Sequence, residues 1–148
     1  MSNNYNIFLI PIITLIFTRL IKFIIFYFRH NKNLTYTFKH AMSYGHMPSV
    51  HTALMISMIT SVGYYVGVNS GAFAVAVVVA IIVIDDATRL RVYMGHHSEY
   101  INIIKDKVGI DNDKYPPLKE RMGHRLSEVL AGAVIGFGLT IVLIFLMQ

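Results

Sequence analysis

Four long apolar segments constrain this chain more than any other feature of its sequence. They extend over residues 7–28, 48–68, 71–93 and 125–147. A transmembrane helix needs about 20 mostly apolar residues, and each segment comes close to that length. In the third segment only residues 71–84 are uninterrupted apolar sequence, and we expect the helix to continue through Asp85, Asp86 and Arg89 to residue 93. Open strands cannot cross lipid, because their backbone groups would lie unpaired in the hydrocarbon. We therefore predict an all-α integral membrane protein, a four-helix bundle that forms a single membrane domain over residues 1–148.

Composition supports this class of protein and excludes others. The chain is 55% hydrophobic and only 14% charged, whereas a soluble domain carries about 25% charged residues. Because it has no cysteine, it can form neither a disulfide framework nor a thiolate metal site. The net charge of +5 comes from basic residues beside the apolar segments. A nucleic-acid surface would interleave them with aromatic residues, so we expect no nucleic-acid partner.

The basic residues also predict how the chain crosses the membrane. All 13 Lys and Arg residues fall at or near one side of the four-span layout, whereas residues 1–6, 69–70 and 148 carry none. The positive-inside rule then places both termini outside and the connections 29–45 and 94–123 in the cytoplasm. Within the second connection we predict a surface amphipathic helix over residues 97–108. This topology brings polar residues of all four spans to the cytoplasmic side.

Two histidine motifs stand at the heads of apolar segments. The first runs from Met47 to Ala53 and contains Pro48-Ser49-Val50-His51, and the second runs from Gly123 to Glu128 and contains His124. A histidine at the edge of a bilayer costs free energy unless it has a partner or a task. Two of them at matching depth predict a polar site between helix ends.

The residue types in this site suit phosphoryl transfer. His124 and Glu128 are four positions apart, so on a helix they would share one face. The carboxylate would fix the tautomer of the imidazole and stabilise the cation that forms when its other nitrogen attacks an electrophile. His51 could protonate a leaving group. Four cations are candidates to hold an anion: Lys22, Arg89, Arg91 and Arg121. This set is typical of a phosphohistidine mechanism that needs no metal.

Other interpretations of the same residues stay open. His124 and Glu128 could form a hydrogen-bonded pair without chemistry, and Asp85-Asp86 could form ion pairs with Arg89 and Arg91. A metal site could instead combine Asp85 and Asp86 with His96-His97. Small residues at four-residue spacing predict close helix packing: Gly132 and Gly136 in the last segment, and Ala72, Ala76 and Ala80 in the third.

Three stretches of the chain resemble the divergent PAP2 family, small membrane proteins related to acid phosphatases and type 2 phosphatidic acid phosphatases. They are residues 45–53, residues 86–95 with Asp86-Ala87, Arg91 and Gly95, and residues 123–132. The resemblance covers about Lys22 to Gly136. It implies a PAP2-like helical bundle.

The resemblance also implies roles for individual residues. Pro48-Ser49-Val50-His51 looks like the motif that supplies the general acid, with Ser49 near the phosphate. His124 looks like the nucleophile and Glu128 like its orienting carboxylate. Lys22 looks like the upstream phosphate-binding lysine. Val50 stands where the wider superfamily has glycine, and Leu118 stands where its phosphate-binding arginine is expected. Arg91, Arg89 or Arg121 would have to take the place of that arginine, and Arg91 fits the divergent family's own pattern best.

The function implied is hydrolysis of a lipid phosphomonoester or pyrophosphate at a bacterial cytoplasmic membrane. The catalytic residues would be His124, Glu128 and His51, and the substrate-binding residues Lys22, Ser49, Arg91 and Arg89. We expect no cofactor and no metal. The expected partners are the lipid phosphate substrate and the bilayer, and the chain could also form a homo-oligomer. The alternative is an inactive relative that binds anionic lipid head groups or a protein through the same pocket.

Overall fold

Four continuous helices make up most of the part of the chain that the structure describes. The computed structural model describes residues 5–29, 34, 37 and 47–147. Helix α1 spans Asn6–Arg29, α2 spans Val50–Tyr65, and α3 spans Gly71–Asp85. A π-helical turn, Asp86–Leu90, joins α3 without a break to α4, Arg91–Val108, and α5 spans Leu126–Leu146. The described residues include no strand, and the prediction of an all-α membrane bundle is confirmed.

Length distinguishes α2 from the helices that could span a membrane. Among the described residues, three helices are long and apolar enough to cross a membrane: Asn6–Arg29, Gly71–Val108 and Leu126–Leu146. Helix α2 has only 16 residues, about 24 Å at 1.5 Å per residue, against a hydrocarbon core of about 30 Å. It is shorter than the apolar segment 48–68, and its crossing of the membrane stays a prediction. Helix α2 is nevertheless the centre of the bundle, since α1, α3 and α5 all pack against it.

Helices α2 and α5 run parallel in close contact. Gly132 lies against the backbone of Ser49, and Gly136 lies against the backbone of Ala53, so that an added Cβ at either glycine would collide with a carbonyl oxygen. One turn further on, Thr140 Oγ1 donates a hydrogen bond of 2.6 Å to Ser57 Oγ. The predicted packing role of the glycines is confirmed. Because the helices are parallel, their N-termini lie at the same end of the bundle.

Helix α1 runs in the opposite direction. Asn6, at its start, donates a 3.2 Å hydrogen bond to the carbonyl of Met147, beyond the end of α5. Midway along, Ser57 Oγ donates to Thr14 Oγ1 at 3.2 Å. The C-terminal end of α1, with Lys22 and Arg29, therefore lies at the end of the bundle where α2 and α5 begin.

The segment after α3 differs from its prediction. Residues 94–123 were expected to be a polar connection with a separate surface helix over 97–108, but the helix continues unbroken to Val108. Gly95 lies inside this helix and is buried. Its missing side chain leaves room for the carbonyl of Glu120. Residues 109–125 then return along α4, to which Asn102 ties them by hydrogen bonds of 2.8 Å to both backbone groups of Leu118.

Candidate functional site

His124 and Glu128 form a buried pair at the start of α5. They are 6% and 4% exposed, and 2.9 Å separates His124 Nδ1 from Glu128 Oε2. The sequence spacing predicted the pair on one helix face, but α5 begins only at Leu126, with Arg125 as its N-cap residue. The pair forms because the Glu128 carboxylate turns back towards the cap, where Oε2 also accepts the Arg125 N–H at 3.1 Å.

The Glu128 carboxylate fixes which nitrogen of His124 carries the proton. Its other oxygen, Oε1, accepts a 2.8 Å hydrogen bond from Arg121 Nη2, so the carboxylate is ionised and surrounded by donors. An ionised carboxylate can only accept, which assigns the proton of the neutral imidazole to Nδ1. The Nε2 nitrogen then carries the lone pair, as a histidine nucleophile requires.

The surroundings keep that imidazole neutral. Burial holds the pKa of His124 below its ordinary value, although the hydrogen bond and negative charge of Glu128 act in the opposite direction. The positive charges of Lys22 and Arg91 lower this pKa further. His124 is therefore uncharged at neutral pH, and two cations lie near enough to influence it.

The first histidine motif is joined directly to the second. Ser49 donates its backbone N–H to the carbonyl of Glu128 at 3.0 Å. Its side chain caps α2, where Oγ accepts hydrogen bonds from the Thr52 N–H and the Thr52 hydroxyl, at 3.4 and 2.9 Å. Gly132 allows this approach, because its missing side chain leaves room for Ser49. His51 follows in the first turn of α2 and is half-buried.

Of the predicted phosphate-binding cations, Lys22 and Arg91 belong to the site and Arg89 points elsewhere. Lys22 is 8% exposed, and it lies close enough to Glu128 for the two charges to interact. Arg91 acts electrostatically on both His51 and His124. The Arg89 side chain is 69% exposed and pairs with Asp85 at 2.9 Å.

The acidic pair at the end of α3 forms ion pairs, as one interpretation of the sequence held. Asp85 binds Arg89, and Asp86 binds Arg91 Nε at 2.7 Å. Among the described residues no group of three or more His, Asp or Glu side chains lies close enough together to hold a metal ion. The arrangement of these residues does not support the alternative metal site.

Two cavities flank the His124–Glu128 pair. One, of about 340 Å³, is lined by three arginines, Arg29, Arg121 and Arg125, together with Glu128 and the apolar side chains of Ile25, Phe26 and Met47. The other, of about 300 Å³, is lined by His124 and residues of α4 and the returning segment, including Gly95 and Glu120. Of the residues predicted to act in the site, Glu128 lines the first cavity, His124 lines the second, and Arg121 lines both.

Sequence reasoning did not select Arg29, although the chain contains a signal for it. Arg29 is seven positions after Lys22, and seven residues are close to two helical turns. The two cations therefore lie on nearly the same face of α1, and the cavity beside Glu128 confirms that Arg29 faces the candidate site.

Fold and site together define a class: an all-α integral membrane protein with a buried histidine–glutamate pair where parallel helices begin. The chain belongs to the divergent PAP2 family, whose model matches residues 3–139. Over 115 residues it is 33% identical to the uncharacterized membrane protein YuiD of Bacillus subtilis (strain 168), covering 70% of this chain and 73% of that protein. No solved structure matches.

Proposed function

We propose that this protein is a membrane phosphatase that hydrolyses a lipid phosphomonoester or pyrophosphate through a phosphohistidine intermediate. The observation that carries the proposal is the buried His124–Glu128 pair, at 2.9 Å, with Nε2 left to react. Its connection to the His51 motif, through the Ser49–Glu128 hydrogen bond, brings a second imidazole to the same end of the bundle. Family membership supports the same class of reaction.

In the first step His124 Nε2 attacks phosphorus, and the bond from phosphorus to the leaving oxygen breaks. His51, in its protonated form, transfers a proton to that oxygen. The positive charge that develops on His124 is stabilised by Glu128, which keeps its hydrogen bond to Nδ1–H. Glu128 itself stays ionised, because Arg121 and the Arg125 N–H hold its charged form.

In the second step water hydrolyses the phosphohistidine. His51, now neutral, accepts a proton from the water as its oxygen attacks phosphorus, and the bond from phosphorus to Nε2 breaks. Inorganic phosphate leaves and His124 is restored. One imidazole thus acts as acid and then as base, while the other forms and breaks the covalent bond.

Cations and helix ends would hold the phosphate. Lys22 and Arg91 supply positive charge next to His124. The Ser49 oxygen already accepts two hydrogen bonds, so what this hydroxyl has left to offer a phosphate is its O–H donor. The N-termini of α2 and α5 point to the same end of the bundle, and helix N-termini favour phosphate. In the arginine-lined cavity, Ile25, Phe26 and Met47 provide apolar contacts beside the charges. This combination fits the junction of a lipid phosphate and its hydrocarbon chain.

We place the site on the cytoplasmic side of the membrane. The basic residues that dominate this end of the bundle support this orientation by the positive-inside rule. Residues 1–148 would act as one membrane domain, with α2 completing the bundle from its centre.

Phosphate release by the purified protein tests the proposal. The protein in detergent is incubated with phosphatidic acid, phosphatidylglycerol phosphate and a polyprenyl pyrophosphate, in the presence of EDTA. We expect phosphate release from at least one lipid, and none from His124→Ala. The matched control is His97→Ala, because His97 is an exposed histidine on α4 and should keep full activity. Turnover by a folded His124→Ala protein would refute the nucleophile.

One observation favours a second candidate, an inactive protein that binds anionic lipid head groups. The arginine-lined cavity includes Glu128 but not His124, so an anion held there need not meet the nucleophile. In that case vesicles rich in phosphatidic acid would bind the wild type and His124→Ala equally, and neither protein would release phosphate.

A further inference from the structure

The π-helical turn between α3 and α4 changes the backbone hydrogen bonds beside the site. In an α-helix each N–H donates to the carbonyl four residues earlier. Here the N–H of Arg91 donates to the carbonyl of Asp86, five residues earlier. The carbonyl of Ala87, four residues before Arg91, instead accepts the backbone N–H of His124 at 2.9 Å. Ala87 is 1% exposed, so this bond lies in the protein interior.

The same turn brings together the ion pair of Asp86 and Arg91. Residues five positions apart in an α-helix are separated by about 140° around the axis and do not face each other. In the structure 2.7 Å separates Arg91 Nε from Asp86 Oδ2. The extra residue of the π-helical turn therefore sets the direction of the Arg91 side chain. It also directs the Arg91 N–H to Asp86, so that the Ala87 carbonyl accepts the His124 N–H instead.

The segment that carries His124 lies directly on this part of the helix. An added Cβ at Gly123 would collide with Val92, and its distance to the Val92 backbone nitrogen would be 2.9 Å. One turn further along, Gly95 leaves room for the Glu120 carbonyl, and the Asn102 side chain donates to Glu120 Oε1 at 2.9 Å. The backbone of residues 118–123 is thus held against α4, up to the residue before His124.

We propose that the π-helical turn Asp86–Leu90 is a positioning device that sets the place of His124 through the Ala87 carbonyl and the direction of Arg91 through Asp86. A single extra residue in an α-helix commonly takes this form at functional sites. The effect of the turn on kcat rests on the proposed phosphatase function, whereas its effect on the position of His124 does not. Ala87 and Asp86 act through His124 and Arg91 and need not touch a substrate.

Hydrogen exchange of the His124 amide tests the structural part on the wild-type protein. Because the N–H is bonded to a buried carbonyl, it should exchange about 100-fold more slowly than an unprotected amide. NMR of protein labelled with ¹⁵N-histidine, in deuterated buffer, gives the rate; a His124→Gln sample assigns the signal. Exchange of this amide at the rate of an unprotected amide would overturn the proposal.

Deletion of Thr88 tests the positioning role, and Thr88→Ala is its matched control. The deletion removes the extra residue, so the turn can close as an α-helix and the Ala87 carbonyl returns to the helix. The substitution removes the 2.8 Å hydrogen bond from the Thr88 hydroxyl to the Ile84 carbonyl but keeps the length. We expect the deletion to speed exchange of the His124 amide about tenfold or more. It should also lower kcat about 100-fold, the cost of a displacement of about 1 Å at a reacting group.

The results separate this proposal from the proposed function. A folded deletion variant that keeps both the slow exchange of His124 and the wild-type kcat would overturn the positioning role. If no lipid is hydrolysed by any variant, the phosphatase fails but the exchange rates still decide whether the turn holds His124. A deletion variant that does not fold leaves the decision to the wild-type exchange rate.

Discussion

Glu128→Gln isolates the charge of the carboxylate with almost no change in side-chain volume. Glu128 accepts three hydrogen bonds, from Arg121 at 2.8 Å, His124 at 2.9 Å and the Arg125 N–H at 3.1 Å. A glutamine has one oxygen to accept and an NH₂ group that can only donate. If the oxygen stays with Arg121, the NH₂ faces His124 Nδ1 and selects the tautomer with its proton on Nε2. The nitrogen that should attack phosphorus then has no lone pair.

The expected loss of activity is large. The matching carboxylate-to-amide change in a serine-protease triad lowers kcat about 10⁴-fold, by the same effect on the tautomer. We therefore expect Glu128→Gln to lower kcat by about 10³- to 10⁴-fold, or about 4 to 5.5 kcal/mol of transition-state stabilisation. The protein should fold, because two of its three hydrogen bonds can still be made. Initial rates of phosphate release, with the Tm of each variant in detergent, measure both quantities.

Two further variants control this experiment. Glu128→Asp keeps the charge on a shorter side chain and should retain an intermediate activity. Glu99→Gln changes a second histidine–glutamate pair among the described residues, His96–Glu99, which lies 3.7 Å apart with both side chains more than half exposed. The activity of this variant should equal that of the wild type. A Glu128→Gln protein that folds and keeps more than about a tenth of the wild-type kcat would refute the assigned role of the carboxylate.

Four other measurements follow from the geometry. Arg91→Ala should lower kcat/KM about tenfold or more, since charge-assisted hydrogen bonds contribute about 1.5–3 kcal/mol. Arg89→Ala should leave kcat/KM unchanged. Equal losses in the two variants would contradict the proposal that Arg91 binds the phosphate and Arg89 does not. Gly132→Ala should lower both Tm and activity, because its Cβ would meet the backbone of α2; an unchanged Tm would contradict the close packing. Burial lowers the pKa of His124, so its neutral form persists into mildly acidic solution. The rise of kcat/KM with pH that reports deprotonation of His124 should therefore have its midpoint below about pH 6.5. A midpoint above that value would contradict the burial effect. Thr140→Val removes an interhelical hydrogen bond and should lower the unfolding free energy in detergent by only about 0.6 kcal/mol; a loss several times larger would show a greater structural role.

The fold was predictable because lipid permits few structures. Apolar segments of nearly 20 residues require helices, and Ser49, at the start of the second segment, is a residue type that caps helices. The glycine spacing from Gly132 to Gly136 correctly predicted close packing. The third segment was less predictable: Ala76 and Ala80 are buried, but Ala72 is exposed. Ala72 lies in the first turn of α3, and alanine is apolar enough to stand on either surface.

The candidate site was predictable in its residues but not in its backbone. The spacing of His124 and Glu128 suggested a shared helix face, whereas the histidine precedes the helix and is held by the cap. The π-helical turn has no signal in composition or periodicity, because one extra residue leaves the apolar pattern on either side unchanged. It depends on a long-range contact, the N–H of His124 bonded to Ala87. Such a contact between residues far apart in the sequence is not visible from local propensity.

Packing and chemistry use the same faces of α2 and α5. Along α5, Glu128, Gly132 and Gly136 recur every four residues and share one face. Along α2, Ser49 and Ala53 have the same spacing, and Gly132 and Gly136 meet them in register. The first member of each series carries the polar group of the site, and the Ser49 N–H joins them through the Glu128 carbonyl at 3.0 Å. A side chain that separated the two helices at either glycine would therefore also separate the His51 motif from His124, the proposed nucleophile. This coupling explains why we expect substitutions in the apolar interface to lower stability and turnover together, whereas changes at Glu128 itself should lower turnover alone.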